Sequence, residues 1–520
     1  MKKVVFKRYD QNQPMLLPRS YEEMVAENHP VRVVNEIIER IDIAELEGTY
    51  KGGGTSSYHP RMLLKVVVYA YLRNMYSSRK MEEALKENVH FMWLSGGAKP
   101  DHNTINDFRG KRLKDHLKKI FNQVVVLLSE QGAISLKEIV LDGTKIEANA
   151  NRYTFVWGKA IKTSRERIER QLRELWKYVE EVYQDEEQRP NTPEFEAIDA
   201  DAVSRTIDEI NEALKKKEGE KPIDPKVRQK LTYAKKNWPE KLKEYDEREG
   251  QMAGRNSLSK TDPDATFMRM KEDHMLNGQL KPGYNVQAST SRQYIVDYTL
   301  GQTTTDTTLM KGHIDDFIAS YGAPPESLTA DAGYGSEENY LYLEEMGITP
   351  YVKYGYFDKE QTEEKNKDRK NHKPSNPFHP DKLPYNELAD TYTCPMGQRM
   401  KYIGQKNRRT KTGHLQTHRL YKAQNCTGCP MRGPCHKAVG DRIIERSPNL
   451  IRCKQRVKEL LNSDVGIKKR KQRWQVEAVF GNIKQDKGFK RFNLRGVDKT
   501  STEFGLIALA HNLQKFSTNQ

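Results

Sequence analysis

Apolar residues recur every three or four positions along the first quarter of the chain. From about residue 30 to 130, one such stripe runs through Leu64, Val67, Tyr71 and Met75. This is the spacing of a helical face that packs on a core. The pattern predicts an all-α N-terminal domain over residues 1–130.

A helix-turn-helix is one arrangement that fits the middle of this domain. A short helix is predicted from 78 to 88, and a second helix begins near residue 101. The later helix would expose Asn103, Asn106 and Arg109, residue types that can reach base edges or phosphates. The same residues fit the solvated face of an ordinary helical bundle, so both interpretations stay open.

A carboxylate follows a short apolar run near residue 140. The run Ile139-Val140-Leu141 leads into Asp142 and two small residues, which predicts a buried strand with an acid at its end. A buried carboxylate costs several kcal/mol unless it is paired or binds a cation. Asp331 ends a similar run, and Glu477 lies in a predicted helix. If these three acids converge, they would form a divalent-metal site.

Alternation with a period of two begins near residue 283. Residues 284–288 and 294–298 alternate on either side of a turn, which predicts a β-hairpin. Asp306 is predicted to cap the next helix, and strands at 328–331 and 349–352 follow. The order strand, hairpin, helix, strand, helix, strand resembles an RNase H-like sheet, so the predicted fold class of the core is α/β.

Residues 161–254 are predicted to form a helical insert. Apolar positions from 168 to 182 follow a coiled-coil spacing, a second run spans 207–214, and a third helix should begin at Asp224-Pro225. Three helices packed on each other would satisfy these stripes. The module is interpreted as a self-contained structural insert, with dimerisation or DNA contact as the alternative.

A second insert is predicted over residues 356–463. It starts with a polar segment without periodicity, 356–387, which is interpreted as an exposed basic linker. A cysteine cluster follows, and a Cys-x2-Cys pair with two further ligands suits a closed, structural zinc site of a small zinc-ribbon-like unit. His436 could replace Cys435, and reduced thiols without metal are the alternative. The proposed ligands are Cys394, Cys426, Cys429 and Cys435.

Charge is unevenly distributed along the 520 residues. The formal net charge is +16, and the stretch from Arg452 to Arg495 holds 14 Lys or Arg against four Asp or Glu. This basic stretch surrounds Glu477, where it could neutralise phosphates. The charge favours nucleic acid as partner, and no apolar run is long enough for a signal peptide or a bilayer span. A cytoplasmic protein is therefore expected.

The acid-bearing helix, predicted from about residue 466 to 485, has a specific geometry. At about 100° per residue, Arg473, Glu477 and Lys484 share one face. An ordinary surface ion pair between Arg473 and Glu477 is the simpler interpretation, since such pairs are common at this spacing.

Together these motifs resemble the DDE transposases of bacterial insertion sequences, in the branch with a Tyr-x2-Arg-x3-Glu-x6-Lys signature. Arg473, Glu477 and Lys484 match that signature, whereas Arg470 stands at its Tyr position. Asp142-Gly-Thr and Asp331-Ala-Gly-Tyr-Gly are similar to the first and second acid motifs. The departure at Arg470 removes an aromatic DNA contact but no metal ligand.

The resemblance implies an RNase H-like catalytic core composed of residues 131–160, 255–355 and 464–516. Asp142, Asp331 and Glu477 would be the catalytic residues and would hold two Mg²⁺ ions, for which Mn²⁺ can substitute. Small residues such as Gly143 would leave room for the scissile strand. The residues expected to contact DNA are Arg473, Lys484, Arg470, Arg109, Asn103 and Asn106.

The function implied is transposition. The protein would bind terminal inverted repeats in double-stranded DNA, hydrolyse the element ends and transfer the 3′-hydroxyl ends to target DNA, as a homodimer in the DNA complex. It would be bacterial, and associated with the nucleoid when bound. One alternative is a catalytically inactive DNA-binding relic or repressor, and another is an RNase H-like nuclease without strand joining.

Overall fold

A mixed sheet flanked by helices forms the centre of the protein. The computed structural model describes residues 19–51, 56–183, 192, 199–217, 222–270, 279–365, 376 and 378–519. The described strands are β1 Glu138–Glu147, β2 Phe155–Trp157, β3 Ser257–Ser259, β4 Thr266–Arg269, β5 Leu280–Ser291, β6 Tyr294–Gly301, β7 Ser327–Ala330, β8 Thr349–Val352, β9 Tyr385–Asn386, β10 Thr391–Thr393, β11 Arg399–Arg409, β12 Leu415–Lys422 and β13 Ile443–Arg446.

Helices precede the sheet, surround it and fill the first insert. The described α-helices are α1 Tyr21–Met24, α2 Pro30–Glu39, α3 Ala44–Glu47, α4 Pro60–Leu72, α5 Ser78–Glu87, α6 Val89–Ser95, α7 His102–Asp107, α8 Leu117–Glu130, α9 Gly158–Val182, α10 Ala200–Lys217, α11 Pro225–Met252, α12 Met310–Tyr321, α13 Glu337–Glu345, α14 Phe357–Lys365, α15 Arg432–Cys435, α16 Pro448–Asn462, α17 Asp464–Gln472, α18 Trp474–Gly481 and α19 Val497–Asn519.

The order of the central sheet fits an RNase H-like core. Its strands run β4-β5-β1-β7-β8, and β6 also pairs with β5. Strand β1 is antiparallel to β5 and parallel to β7, and β7 is parallel to β8. The predicted hairpin is confirmed as β5 and β6. Its two turn residues, Arg292 and Gln293, both have positive φ, as tight hairpin turns require.

The sequence suggested that β1 ends at the first acid, Asp142. In the structure, β1 continues beyond it. Its parallel pairing with β7 stops at Val140, opposite Thr329. Its antiparallel pairing with β5 continues to Glu147, opposite Gly283. Asp142 therefore lies within β1, at the point where β1 keeps only one of its two neighbours.

The N-terminal helices and the sheet share one hydrophobic core. Helix α4 is buried along nearly its whole length and packs against α19. Buried side chains from α2, α4 and α8 join those from β1, β5 and β6 in one continuous cluster. The apolar stripes predicted for this region are therefore core positions, and part of that core belongs to the sheet.

The first insert has a core of its own. Helices α9, α10 and α11 contact one another, and their apolar stripes form a cluster separate from the main core. The predicted start of α11 is confirmed, because Asp224 caps it through a hydrogen bond from the Lys226 amide at 2.8 Å and Pro225 is the first helical residue. The packing is that of a three-helix structural module.

The second insert contains a five-stranded antiparallel sheet in the order β13-β12-β11-β10-β9. The polar segment before it is not purely a linker, because α14 occupies its start and Phe357 is fully buried. The exposed-linker interpretation is wrong for that part. Residues 366–375 and 377 lie outside the described residues.

The helix predicted from 466 to 485 is divided into three parts. Helix α17 ends at Gln472, α18 covers Trp474–Gly481, and a π-helical turn spans Asn482–Asp486. A π-turn inserts an extra residue into the helix and rotates the side chains C-terminal to it. The prediction of one regular α-helix from about residue 466 to 485 is therefore wrong. Across the described residues, no helix is both long and apolar enough to cross a membrane.

Candidate active site

Asp142 lies in the middle of the central sheet. Strand β1 holds it directly after the apolar residues 139–141, and only 5% of the residue is exposed. Its Oδ1 accepts a hydrogen bond from the Gly143 amide at 2.8 Å. The strand thus holds a carboxylate in a buried position, which is costly without compensating charge.

Asp331 follows β7 directly and begins a tight turn. Its Oδ1 accepts from the Gly333 amide at 2.8 Å and caps a 3-10 turn over Ala332–Tyr334. The last paired residues of β1 and β7 are Val140 and Thr329. Asp142 and Asp331 each stand two residues beyond that pair, so the parallel register brings both acids to the same end of the strand pair.

Glu477 is connected to Asp331 through one arginine. The Arg473 Nη2 atom lies 2.6 Å from Glu477 Oε1, and its Nη1 atom lies 3.5 Å from Asp331 Oδ2. The guanidinium therefore bridges the second and third acids. Helix α18 also contacts β1 and β5, which places Glu477 on an element that packs directly on the strand of Asp142.

A fourth acid, Asp306, was not predicted to lie at this site. Its Oδ1 accepts hydrogen bonds from Asn285 Nδ2 at 2.7 Å and Gln287 Nε2 at 3.1 Å. It does not cap α12, because Leu309 occupies the N-cap position and makes no side-chain cap bond. The capping prediction is wrong because the two amides of β5 compete for the carboxylate. No local sequence signal indicates this contact, which depends on tertiary structure.

Gly143 lies directly against the side chain of Asp306. A Cβ atom added at Gly143 would collide with Asp306 Oδ1 and would come within 2.6 Å of Gln287 Nε2. Nearby, Tyr334 is fully buried and its hydroxyl donates to Gln287 Oε1. Burial raises the pKa of Tyr334 well above its usual value, and the charges of Asp306, Asp142 and Asp331 raise it further. The charges of these three acids therefore all act on one buried phenol.

The donor set suits a hard divalent cation. All the candidate ligands are carboxylate oxygens, the donors that Mg²⁺ prefers. Within the described residues, however, no three His, Cys, Asp or Glu side chains are arranged to hold a metal ion. Arg473 occupies the space between Asp331 and Glu477. In the described part of the chain, the acids as they stand therefore do not form a closed metal cage.

The basic residues of the predicted signature have different environments. Lys484 is only 7% exposed and lies in the π-helical turn. Arg470 is partly buried, with its guanidinium 5.1 Å from the centre of the Phe357 ring. Arg473 contacts two of the proposed catalytic acids, Asp331 and Glu477.

The predicted exposed face in the N-terminal region is only partly present. Asn103 and Asn106 are exposed, but Arg109 is 3% exposed. Its Nη1 donates to Tyr76 O at 2.7 Å and to the Tyr71 hydroxyl at 3.0 Å. The prediction that Arg109 faces DNA from the surface is wrong, because the core around α4 takes up its guanidinium.

The cysteines of the second insert lie in its small β domain. Cys426 and Cys435 both accept hydrogen bonds from Arg442, at 3.4 Å from its amide and at 3.0 Å from its Nη1. Cys394 packs against the core that includes Cys426, and the Cys429 amide bonds to Cys426 O. Cys453 is separate from them and lies buried in α16.

Two family models match parts of the chain. The model described as "Transposase DDE domain" matches residues 393–517, a stretch that includes Glu477. The model described as "Transposase domain (DUF772)" matches residues 19–111. The chain matches none of the curated proteins and none of the solved structures with which it was compared. Both matched stretches are therefore similar to transposase domains, and together with a sheet that fits an RNase H-like core they are consistent with a DDE transposase.

Proposed function

We propose that this transposase binds the terminal inverted repeats of its own element, hydrolyses DNA at the element ends and transfers the 3′-hydroxyl ends to target DNA. Asp142, Asp331 and Glu477 are the catalytic acids. The observation that carries this proposal is the Arg473 bridge between Asp331 and Glu477, combined with the register that brings Asp331 and Asp142 to one end of β1 and β7.

DDE transposases usually use divalent metals, and this chain has the residues to hold them. Asp142, Asp331 and Glu477 would hold Mg²⁺ or Mn²⁺. Bound there, such ions supply activation of the attacking oxygen and stabilisation of the leaving oxygen in a displacement at phosphorus. Asp142 is fixed by its strand, whereas Glu477 is about half exposed, so Glu477 is the acid best able to move as the site fills.

The basic residues act on the DNA backbone in this proposal. Arg473 holds the acids while DNA is absent and turns to a phosphate of the element end when DNA binds, because a guanidinium can bind phosphate in the same bidentate way as carboxylate. Lys484 and Arg470 add positive charge around the same helix. Asn103 and Asn106, which are exposed, contact the repeat from the N-terminal region. The protein acts as a homodimer on paired ends.

The second insert is proposed to hold one structural Zn²⁺ through Cys394, Cys426, Cys429 and Cys435. Its support is that Cys394 and Cys426 belong to one small core and that Cys426 and Cys435 both accept hydrogen bonds from Arg442. Four thiolates would close the tetrahedral shell and leave no position for substrate. The site would therefore stabilise the insert without taking part in catalysis.

The deciding experiment is cleavage and joining of labelled DNA that carries the repeats flanking the gene. The wild type, Glu477→Gln and the control Glu459→Gln are compared in Mg²⁺ and in EDTA. Glu459 is exposed on α16, so its loss changes charge without touching the site. Wild type and control should nick and join in Mg²⁺ only, while Glu477→Gln should bind DNA and do neither.

The alternatives give different outcomes in the same assay. Wild-type protein that binds the repeats but never cuts in Mg²⁺ or Mn²⁺ would be a DNA-binding relic. Cleavage at sites unrelated to the repeats, without joining, would indicate a general nuclease. Cleavage by Glu477→Gln at the wild-type rate would overturn the assignment of the third acid.

A further inference from the structure

We propose that Asp306 is a fourth carboxylate of the divalent-metal site, beside Asp142, Asp331 and Glu477. The inference rests on the proposed function, because it adds a residue to the same site. Three observations support it: the Asp306 loop is bonded to the Asp331 turn, the Asp306 carboxylate accepts from two neutral amides, and within the described residues it has no basic partner.

The loop that carries Asp306 is fixed against the turn that carries Asp331. Thr307 Oγ1 donates to Gly333 O at 2.5 Å, and Asn339 Nδ2 donates to both Thr307 O and Tyr334 O, at 2.9 and 2.8 Å. These bonds connect the residue after Asp306 to the residues after Asp331. The two acids therefore keep a set distance from each other.

The carboxylate of Asp306 stands between two glycines that flank the proposed catalytic acids. Its Oδ1 occupies the space where a Gly143 side chain would lie, and its Oδ2 is 3.7 Å from the position of a Cβ atom on Gly333. Gly143 follows Asp142 directly, and Gly333 lies two residues after Asp331. Any larger side chain at Gly143 would push Asp306 away from the strand.

The partners of Asp306 leave its charge uncompensated. Its Oδ1 accepts from the neutral amides of Asn285 and Gln287, and in the part of the chain that the structure describes it forms no ion pair with a basic side chain. Asp331 and Glu477, in contrast, share Arg473. A partly buried carboxylate that lies near other acids and has only neutral donors is stabilised by a cation.

The two amides also orient the carboxylate. Asn285 and Gln287 are two positions apart and therefore lie on the same face of β5. Gln287 lies opposite Gly143 in the register of β1 and β5. The Gln287 side-chain oxygen accepts from the Tyr334 hydroxyl, which directs its amide group towards Asp306. With Oδ1 held by both amides, Oδ2 is the atom presented towards the Asp331 turn.

Calorimetric titration of the full-length chain with Mn²⁺, without DNA, tests this inference. Asp306→Asn keeps the shape and an oxygen for the two amides but removes the charge. We expect it to bind Mn²⁺ about 10- to 100-fold more weakly than the wild type, in the range seen when groups around a metal site are removed. The matched control is Asp315→Asn on α12, whose carboxylate accepts from the Tyr342 hydroxyl at 2.6 Å and should leave Mn²⁺ affinity unchanged.

Glu477→Gln and Asp142→Asn separate this inference from the proposed function. If both lose Mn²⁺ affinity while Asp306→Asn binds like the wild type, Asp306 is not a ligand and the three-acid site stands. If none of the three variants loses affinity, the proposed metal site itself is overturned, and this inference falls with it.

A wild-type experiment covers the case in which Asp306→Asn does not fold. Fe²⁺ substituted for Mn²⁺ generates hydroxyl radicals in the presence of ascorbate and peroxide, and these cut the backbone beside the ion. Cuts next to residues 142, 306 and 331, suppressed by excess Mg²⁺, are expected. Cuts at 142 and 331 without any at 306 would contradict the inference.

Discussion

The Nη2 atom of Arg473 lies 2.6 Å from Oε1 of Glu477. Because the same guanidinium also reaches Asp331, it competes for the carboxylates that the metal would need. Removing it would leave two acids that bind a cation more readily, and in the proposed DNA complex it would also remove a phosphate contact.

Arg473→Ala is therefore expected to bind Mn²⁺ more tightly and to cut DNA less. The gain in affinity should be about two- to fivefold, equivalent to an exposed ion pair, as measured by calorimetry without DNA. Lys111→Ala is the control, since Lys111 forms an exposed pair with Asp107 at the same four-residue spacing on another element. Unchanged Mn²⁺ affinity in Arg473→Ala would contradict competition at the acids.

Gly143→Ala is expected to destabilise the protein by about 1 to 3 kcal/mol, the usual cost of overpacking a core. The added methyl group would collide with Asp306 and Gln287. Urea unfolding measures the loss. Gly312→Ala, inside α12 with nothing within 4 Å of the added Cβ, should be neutral or up to about 1 kcal/mol more stable. Equal stability of both variants would mean that the Asp306 side chain moves aside at little cost when the methyl group is added.

Arg109→Met tests whether this arginine is structural. It should lower the free energy of unfolding by about 3 kcal/mol, because the Tyr71 hydroxyl and Tyr76 carbonyl lose a buried cationic donor. Asn103→Ala, at an exposed position, should change stability by less than about 0.5 kcal/mol and should weaken binding to the repeats. If the Arg109→Met variant is as stable as the wild type but binds DNA poorly, Arg109 contacts DNA after all.

His511 should make stability depend on pH. Burial lowers the pKa of His511 to about 4, below its unfolded value of about 6.5. Between pH 6.5 and pH 4, His511 is therefore protonated in the unfolded chain but neutral in the folded chain. The contribution of His511 to stability is complete above pH 6.5 and is lost as the pH falls towards 4.

The measurement is urea unfolding of the wild type and of His511→Gln at pH 7 and at pH 4.5. The free energy of unfolding of the wild type, relative to that of the variant, should fall by on the order of 3 kcal/mol between the unfolded and folded pKa values of His511. His59→Gln, at an exposed site, serves as control. A constant difference between wild type and His511→Gln would show that the ring is not kept neutral by burial.

The zinc proposal predicts one equivalent of Zn²⁺ in purified protein, measured by elemental analysis. Cys429→Ser should lose most of it, because three thiolates hold zinc more weakly than four. Cys453→Ser removes a thiol in α16 and should keep the metal. Metal-free wild-type protein with a folded insert would mean that the thiols are simply reduced.

Sequence patterns predicted the elements that local chemistry specifies. The strand before Asp142, the 284–298 hairpin and the cap at Asp224 all follow from side-chain period or turn chemistry, and all are present. Patterns failed where distant segments decide the outcome. Asp306 is drawn to β5 amides, Arg109 is buried by α4, and a π-turn replaces the regular α-helix at Lys484. The roles of the proposed acids remain predictions.

The packing of α4 on α19 has a mechanical consequence. A fragment ending near residue 130 would expose the apolar side of α4 to water, so the N-terminal region should aggregate when expressed by itself. In the intact chain this region cannot swing freely on a tether. Its exposed asparagines are connected to the acids through one shared core, and if both contact DNA as proposed, their separation would determine how many base pairs lie between the recognised sequence and the cut.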